Sequence, residues 1–336
     1  MCLRRKYFSD KNISQFPLEV RMVKMPVKIL VCDPIDSEGI EKLRKAGFYV
    51  NLMPSITEET LEEIVQEYDV LIVRGRTKVT RDIIERGKHL KVIARAGSGL
   101  DNIDLKAAKE RGIAVINSPE APADSVAELT IGLMIALARK IVLADSSMKN
   151  GRWLKKELKG QLLKGKKLGL IGLGNIGLRV AKIARTIGMK ILITKRNPPS
   201  PELLRSLEAE FLPLDELLRQ SDIVSIHIPL TEETRHMIGA EEISKMKDGA
   251  FLINTARGSI VDEDALLGAL KSGKLGGAAL DVYTVEPPEN WELMKLPNVV
   301  CTPHIGAQTV EAQKKASIIL AEKIILFFER SLPSSH

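Results

Sequence analysis

The sequence predicts an α/β fold of two Rossmann-like, doubly wound parallel-sheet domains, with the second domain inserted into the first. Three observations lead to this prediction. Short β-branched runs alternate with amphipathic helical segments, a glycine-rich turn at 172–177 begins a second such series, and a helical run over 308–330 follows Gly306. Strands that alternate with helices at this spacing form parallel βαβ units. A length of 336 residues also suggests two domains.

The first series begins at VKILVCDP (27–34). Ser37 is predicted to cap the first helix and Gly47 to end it, and Thr57 is predicted to cap the second helix. Residues 1–24 show no clean periodicity, no apolar core of a signal peptide and no small-residue cleavage site. We therefore expect a disordered extension there, or a start codon assigned too early.

The domain boundaries follow from the change between the two series. A long helical run over 123–150 leads through a polar arm into the second series. The predicted outer domain comprises residues 25–122 and 306–336, and the inserted domain comprises residues 123–305. A cleft between the two domains is the expected place for a ligand.

Composition argues against several functional classes. The chain is 44% hydrophobic and 28% charged, as soluble globular proteins are. The net charge of +7 is spread out and only 4% of residues are aromatic, so nucleic acid is not an expected partner, while anionic small substrates are. The apolar helix 128–144 is too short to span a bilayer. Cys2, Cys32 and Cys301 lack disulfide or zinc spacing, which predicts no metal site and a reducing, cytoplasmic location.

The turn GLGNIG has the G-x-G-x-x-G spacing of dinucleotide-binding units, with its glycines at Gly172, Gly174 and Gly177. The first glycine permits a tight turn, the second lets the backbone approach a pyrophosphate, and the third lets helix and strand pack closely. The amides of Asn175 and Ile176, at the helix N-terminus, are predicted to face the phosphates. A glycine turn without a ligand is the alternative, but the strand before it and the helix after it favour a nucleotide.

Arg257 follows an apolar strand in INTARGSIVDEDAL (253–266). At the carboxyl end of a strand in a doubly wound sheet, a guanidinium can bind a substrate carboxylate and polarise the adjacent carbonyl. The alternative is a surface ion pair with Asp262 or Glu263.

His304 follows another strand, and Asp281 and Glu286 are nearby carboxylates in the sequence. A carboxylate partner orients an imidazole and stabilises its protonated form. Such a pair could protonate the alkoxide that forms when a hydride reaches a carbonyl carbon. A structural histidine is the alternative, since spacing alone does not bring Glu286 to His304.

Five motifs in order, GLGNIG, SDIVSIHIPLTEETRHMI, INTARGSIVDEDAL, ALDVYTVEP and TPHIGAQT, resemble those of the D-isomer-specific 2-hydroxyacid dehydrogenases, and the resemblance extends over nearly the whole chain from Val27. It implies that the inserted domain binds the dinucleotide and the outer domain the substrate. It also implies a catalytic triad in which His304 is the acid/base, Glu286 its partner and Arg257 the substrate and carbonyl binder. The implied cofactor contacts outside the glycine turn are Ile228, Pro229, Thr255, Ala256, Asp281, His304 and Gly306.

The stretches LIVRGRTKVTRDII and KVIARAGSGLDNID look most like the D-3-phosphoglycerate dehydrogenases of that family, in a short form without a regulatory C-terminal domain. This resemblance implies NAD(P)-dependent oxidation of D-3-phosphoglycerate to 3-phosphohydroxypyruvate in serine biosynthesis. Arg74 and Arg95 would lie near the substrate phosphate, and the amides of Ser98 and Gly99 would hold its carboxylate. The polar arm over 149–167 implies a homodimer.

Three alternatives remain open at this point. Arg74, Arg76 and Lys78 could form a solvated basic rim. The chain could be an NADPH-dependent glyoxylate or hydroxypyruvate reductase, whose uncharged substrate end would not need Arg95. It could also be a non-catalytic, nucleotide-sensing binding protein like the corepressors that resemble this family.

The cofactor itself is predicted from Thr194, Lys195 and Arg196, which stand where relatives that prefer NAD usually have an aspartate. A 2′-phosphate would gain charge-assisted hydrogen bonds from either cation. Between NAD(H) and NADP(H), these residues favour NADP(H), although the phosphoglycerate dehydrogenases normally use NAD. The alternative is that both cations point to solvent.

Overall fold

The structure is a computed structural model that describes residues 26–289 and 291–330, so the expected extension over residues 1–24 lies outside the described residues. Its first unit is a parallel sheet in the order β2-β1-β3-β4-β5. The strands are β1 (Lys28–Val31), β2 (Tyr49–Leu52), β3 (Val70–Val73), β4 (Val92–Arg95) and β5 (Ala114–Asn117). The connecting helices are α1 (Ser37–Lys45), α2 (Glu58–Ile64), α3 (Arg81–Arg86) and α4 (Leu105–Glu110).

One predicted helix cap of this unit is confirmed and another is wrong. Thr57 caps α2 by accepting the amide hydrogen of Thr60 at 3.2 Å. For α1 the cap is Asp36, not Ser37, because the Asp36 carboxylate already accepts the amide hydrogen of Glu38 at 2.9 Å. An aspartate one position earlier satisfies the free amide as well as a serine would.

The helical run predicted over 123–150 is two helices, α5 (Ala123–Ala138) and α6 (Ile141–Lys149). Lys140 between them adopts a left-handed conformation with φ of 53°. The Ala138 carbonyl at the break accepts the amide hydrogen of Gln161 in the polar arm at 2.8 Å. The arm therefore uses a carbonyl that a continuous helix would have occupied.

The second unit is a seven-stranded sheet, also entirely parallel, in the order β12-β11-β10-β9-β6-β7-β8. Its strands are β6 (Lys167–Ile171), β7 (Lys190–Thr194), β8 (Ala209–Phe211), β9 (Ile223–Ile226), β10 (Ala250–Asn254), β11 (Leu275–Leu280) and β12 (Val299–Cys301). Its helices are α7 (Asn175–Thr186), α8 (Pro201–Leu207), α9 (Leu214–Gln220), α10 (Ala240–Lys245) and α11 (Glu263–Ser272). The strand order reverses between β6 and β9, where such sheets bind ligands.

The final helix, α12 (Val310–Arg330), returns to the first unit. Its Ser317 hydroxyl donates to the Asp36 carbonyl at 2.7 Å, and a side chain on Gly39 of α1 would overlap Ser317. Helix α5 packs with the second sheet, where Ala127 and Met134 share an apolar core with Ala181. Within the described residues, none of the helices combines the length and the apolar character that crossing a bilayer requires.

Candidate active site

The predicted site residues of the second unit lie at one edge of its sheet. Because all seven strands are parallel, their carboxyl ends meet at the same edge. The loops after β6, β7, β9, β10, β11 and β12 carry the glycine turn, the two cations, Ile228, Arg257, Asp281 and His304 respectively. The fold therefore brings these separate motifs together.

Two glycines of the turn are required by packing. Gly172 has φ of 100°, and its amide donates to the Thr194 carbonyl at 2.9 Å. A Cβ at Gly172 would reach the His227 carbonyl at 2.5 Å and the Ile228 methyl at 2.7 Å. A Cβ at Gly177 would overlap the Gly172 carbonyl, so α7 can approach the turn only with glycine there.

Gly174 differs from the other two glycines. It precedes Asn175, the first residue of α7, and no atom lies within 4 Å of the position that a Cβ would take. The protein therefore leaves space at Gly174 and at the helix N-terminus, which suits the approach of a pyrophosphate. Asn175 and Ile176 begin the helix as expected.

Thr194, Lys195 and Arg196, at the end of β7, differ in their contacts. Thr194 ends β7 and its carbonyl binds the glycine turn. Arg196 is exposed and lies 3.6 Å from the carboxylate of Glu233. Lys195 is half-buried and makes no hydrogen bond or ion pair with any other residue in the part of the chain that the structure describes. Lys195 is thus the cation left available at the end of β7.

Ile228 and Pro229 follow β9. Ile228 is partly buried and faces the glycine turn, while Pro229 is exposed and its carbonyl accepts the Thr234 hydroxyl at 2.8 Å. Ile228 therefore borders the space beside the turn, where the resemblance implies a cofactor contact.

The loop after β10 directs Arg257 into the cleft. Thr255 is buried, with its hydroxyl 3.0 Å from that of Thr130 on α5, and the Ala256 amide donates to the Asn254 side chain at 3.0 Å. Nη1 of Arg257 donates to the Ala256 carbonyl at 2.6 Å, and Nε donates to Asp101 at 2.8 Å.

The sequence suggested Asp262 or Glu263 as an ion-pair partner of Arg257, but the structure shows a different partner. Asp262 instead caps α11, where its carboxylate accepts two amide hydrogens at 3.0 Å. Glu263 accepts the amide hydrogen of Thr284 at 2.7 Å. Both carboxylates are used locally, so Arg257 pairs with Asp101 of the first unit, which sequence reasoning missed. The run DNID (101–104), which directly follows the glycines, was the sequence signal that could have indicated Asp101.

His304 and Glu286 form the predicted pair, with Nδ1 of His304 2.6 Å from Oε2 of Glu286. The other oxygen of Glu286 accepts the Tyr283 amide hydrogen at 3.1 Å. Burial alone would raise the pKa of the Glu286 carboxyl, but its hydrogen bond with His304 and the nearby positive charges hold that pKa below its ordinary value. The carboxylate stays ionised and leaves Nε2 of His304 as the nitrogen that can exchange a proton with a ligand.

Asp281 anchors the loop that carries His304. Its buried carboxylate accepts the Thr302 hydroxyl at 2.6 Å and the amide hydrogens of Ile305 and Gly306, both at 2.8 Å. These bonds support His304 in a left-handed conformation with φ of 52°. The sequence suggested Asp281 as a carboxylate near His304 and, by resemblance, as a cofactor contact, but this anchoring role was not foreseen.

The substrate-side residues lie at the carboxyl edge of the first sheet. Arg95 ends β4, and its buried Nε has no hydrogen-bond partner among the described residues. Burial lowers the pKa of Arg95 to about 10, and repulsion from Arg257 adds to this effect. Arg74 is partly exposed and donates to the Pro34 carbonyl at 3.2 Å. Ser98 is held through its carbonyl, which accepts from Asn117 at 2.7 Å.

Arg76 is not part of a freely solvated rim. Its guanidinium donates to the carbonyls of Cys32 at 2.5 Å, Ile56 at 2.9 Å and Pro54 at 3.1 Å, and it lies 3.0 Å from buried Asp33. These contacts with three backbone carbonyls and a buried carboxylate indicate a structural role for Arg76. The basic-rim interpretation is therefore wrong for Arg76.

An imidazole–carboxylate pair and a guanidinium, beside a glycine turn at one sheet edge, define a nicotinamide-nucleotide-dependent dehydrogenase. The chain belongs to the D-isomer specific 2-hydroxyacid dehydrogenase family, whose NAD-binding domain model matches residues 131–306. This finding confirms the predicted family, fold class and enzyme class. Its substrates are small 2-hydroxy or 2-oxo acids and its cofactor is NAD(H) or NADP(H).

Three similar proteins show how the family diverges. A hydroxypyruvate reductase of Thermotoga maritima is 52% identical over 300 residues, which are 88% of this chain and 97% of that protein. A D-3-phosphoglycerate dehydrogenase of Methanocaldococcus jannaschii is 50% identical over 299 residues, covering 89% of this chain but only 57% of that protein. An acyclic imino acid reductase solved with NADPH and D-arginine is 31% identical, with a TM-score of 0.82 and coverage of 90% and 98%.

Proposed function

We propose that the chain catalyses the reversible oxidation of D-3-phosphoglycerate to 3-phosphohydroxypyruvate, a step of serine biosynthesis. The observation that carries this proposal is the state of Arg95. The residue is partly buried and its Nε is buried without a hydrogen-bond partner among the described residues. Burial and then the charge of Arg257 lower its pKa, while Asp101 offsets part of this effect. Leaving a buried donor without an acceptor is costly, so such a group is best explained by a ligand that supplies the missing acceptor.

The charge of the ligand is inferred from Arg257, Arg95 and Arg74 together. A substrate carboxylate can be bound by Arg257 together with the amides of Ser98 and Gly99. A second anionic group would then balance the charge of Arg95, which Asp101 and Asp33 offset only in part, and that of Arg74. A phosphate at the other end of a three-carbon acid meets this requirement, whereas the hydroxyl of hydroxypyruvate does not.

A nicotinamide nucleotide fits the second unit, because Gly174 leaves open space at the N-terminus of α7. The residues proposed to hold it are Gly172, Gly174, Asn175, Ile176, Gly177, Thr194, Lys195, Arg196, Ile228, Pro229, Thr255, Ala256, Asp281, His304 and Gly306. When bound, the nucleotide exchanges a hydride with C2 of the substrate. His304 takes the hydroxyl proton during oxidation and returns it during reduction, while Glu286 stabilises the imidazolium and Arg257 polarises the carbonyl.

The cofactor is proposed to be NADP(H). Lys195 has no partner in the described structure, and the end of β7 carries no carboxylate to repel a 2′-phosphate. Arg196, which makes only a long and exposed contact with Glu233, can contribute a second charge-assisted bond.

A second candidate is NADPH-dependent reduction of hydroxypyruvate or glyoxylate. Lys195, which has no partner among the described residues, favours this second candidate, because reductases commonly use NADPH. The 52% identity to a hydroxypyruvate reductase supports it to the same degree as the 50% identity supports a phosphoglycerate dehydrogenase.

We also propose a cytoplasmic homodimer with a two-domain organisation, residues 25–122 and 306–336 for substrate and 123–305 for cofactor. Exposed apolar side chains on α5, α6 and the polar arm support a partner surface there. They are Ile135, Ile141, Val142, Met148, Trp153 and Leu162.

The decisive experiment measures kcat and KM for D-3-phosphoglycerate, 3-phosphohydroxypyruvate, hydroxypyruvate and glyoxylate with both nucleotides, in the parent and in Arg95→Ala. Loss of a charged hydrogen-bonding partner should raise KM for the phosphorylated substrates about 10- to 100-fold. KM for hydroxypyruvate should change little. Good turnover of hydroxypyruvate with none of either phosphorylated substrate would instead establish the reductase.

A further inference from the structure

A hydrogen-bonded ion pair joins the two units beside the proposed reaction centre. Nε of Arg257 donates to Oδ2 of Asp101 at 2.8 Å, although the two residues are 156 positions apart in the chain. Arg257 follows β10 of the second sheet, and Asp101 lies in the loop after β4 of the first sheet. This carboxylate has no place in the triad of Arg257, Glu286 and His304.

The contacts of Arg257 fix both the position and the plane of its guanidinium. Asp101 occupies Nε, and the Ala256 carbonyl occupies one hydrogen of Nη1 at 2.6 Å. Nη2 lies against Gly99, where a Cβ would overlap it. An arginine has five N–H donors in a rigid fork, so the terminal edge formed by Nη1 and Nη2 remains for a ligand.

Asp101 is itself held by its neighbours in the chain. The Asn102 side chain donates to the carbonyls of Arg74 at 2.9 Å and Thr77 at 2.6 Å, and the Asn102 carbonyl accepts the Val79 amide hydrogen at 2.8 Å. Ile103, next in the chain, is buried. The backbone of Asp101 is therefore fixed, while its half-exposed carboxylate is directed at Arg257.

We infer that Asp101 is a positioning residue, which holds the Arg257 guanidinium through Nε so that its terminal edge faces the substrate carboxylate and carbonyl. This inference rests on the proposed role of Arg257 in the reaction. Asp101 need not touch the substrate. Its single-oxygen contact leaves the two-nitrogen edge free, so a substrate carboxylate can bind without displacing Asp101. The negative charge also offsets part of the repulsion between Arg95 and Arg257.

A double-mutant cycle tests the inference, with hydroxypyruvate as the probe and kcat and KM measured separately. Asp101→Ala should lower kcat/KM about 10- to 100-fold, mostly through kcat, because misplacing a group that acts in the transition state is costly. Asp101→Asn keeps an oxygen that can accept from Nε and should recover most of that loss. Arg257→Lys removes the fork, so adding Asp101→Ala to it should change kcat/KM by no more than about threefold.

The controls test whether a loss of activity comes from a misplaced Arg257 guanidinium, from lower stability of the protein or from a change in charge at a distance. Thermal unfolding of each variant should match the parent, because the Asp101 side chain is half-exposed and supports no other described residue by a hydrogen bond. Asp82→Asn, which removes an exposed carboxylate on α3, should leave kcat/KM unchanged.

Two results would overturn the inference, and they differ from each other. If the losses from Asp101→Ala and Arg257→Lys multiply in the double variant, Asp101 does not act through Arg257. If Arg257→Lys leaves kcat and KM at parental values, the proposed role of Arg257 fails and that of Asp101 fails with it. The first result leaves the proposed function intact, whereas the second does not.

Discussion

The His304–Glu286 pair at the carboxyl edge of the second sheet and Arg95 at the carboxyl edge of the first sheet differ in how far their polar groups are satisfied. At the edge of the second sheet, Asp281 accepts three hydrogen bonds and Glu286 accepts from both His304 and a backbone amide. At the edge of the first sheet, Arg95 is partly buried and its Nε has no hydrogen-bond partner among the described residues. Around His304 the edge of the second sheet is organised before any ligand binds, whereas Arg95 at the edge of the first sheet is left for a ligand to complete.

This difference distinguishes the groups proposed to transfer a proton from the group proposed to recognise the substrate. Groups that must be oriented for proton transfer are held by the protein's own hydrogen bonds, which cost no reorganisation at the moment of reaction. A charge meant for a ligand must stay unpaired, and the fold compensates for its burial elsewhere. Arg95 and His304 therefore should respond differently to substitution.

The largest effect is expected at the organised edge. His304→Ala should lower kcat about 10²- to 10⁴-fold with a small change in KM, since it removes a general acid–base rather than a binding group. Steady-state kinetics in both directions would measure this. A large rise in KM with unchanged kcat would instead place His304 among the recognition groups.

Glu286→Gln offers the matched test of the pair. Because the pKa of Glu286 is held below its ordinary value of 4.5, its carboxylate is ionised above that value, and its interaction with His304 is lost as the pH falls through the lowered pKa. In the parent protein, part of the decline of kcat at acid pH should come from protonation of Glu286. A glutamine cannot be protonated in this way, so the pH profile of Glu286→Gln should lack that part of the decline. A pH profile that keeps this decline unchanged would assign it to another group.

The next effect concerns the cofactor, at the end of β7. Lys195→Asp should shift the ratio of kcat/KM for NADP(H) over NAD(H) towards NAD(H) by about 10- to 100-fold, because a charged hydrogen bond is replaced by repulsion. Lys190→Asp makes the same charge change at the exposed amino end of the same strand and should leave the ratio unchanged. An equal shift in both variants would reflect net charge alone.

Much of the organised edge was predictable from sequence, because its residues follow buried strands of a parallel sheet. That rule alone places the glycine turn, Arg257, Asp281 and His304 at one edge. The pairing of Glu286 with His304 was expected only from family resemblance, since it depends on the path of the loop after β11 and not on strand order.

The contacts across the cleft were not predictable in this way. The bond between Asp101 and Arg257 depends on how two separate sheets face each other, which no periodicity encodes. Arg76 shows the same limit on a smaller scale. In the sequence it looks like Arg74 two positions earlier, yet its guanidinium reaches three carbonyls and Asp33 while that of Arg74 binds one carbonyl.

A smaller effect should distinguish the glycines of the cofactor turn. Gly174→Ala should raise KM for the nucleotide about 10-fold while costing at most about 1 kcal/mol in stability, because its Cβ enters open space although alanine is a poorer N-cap than glycine. Gly177→Ala should instead lower the free energy of unfolding by about 1–3 kcal/mol, since its Cβ overlaps the Gly172 carbonyl. Nucleotide titration and thermal unfolding would measure the two. Equal stability losses would contradict the separation.

The smallest effect on turnover is expected from Arg76→Ala, whose consequence should be structural. It should lower the free energy of unfolding by about 1–2 kcal/mol through its lost hydrogen bonds, while kcat/KM stays within about twofold. Arg95→Ala is the matched arginine variant. It should lower kcat/KM for phosphorylated substrates but change the free energy of unfolding little, because the Nε of Arg95 forms no hydrogen bond among the described residues. Chemical denaturation alongside kinetics would separate the two. A large stability loss in Arg95→Ala would show that the protein itself satisfies this guanidinium, and the contrast between the two edges would then fail.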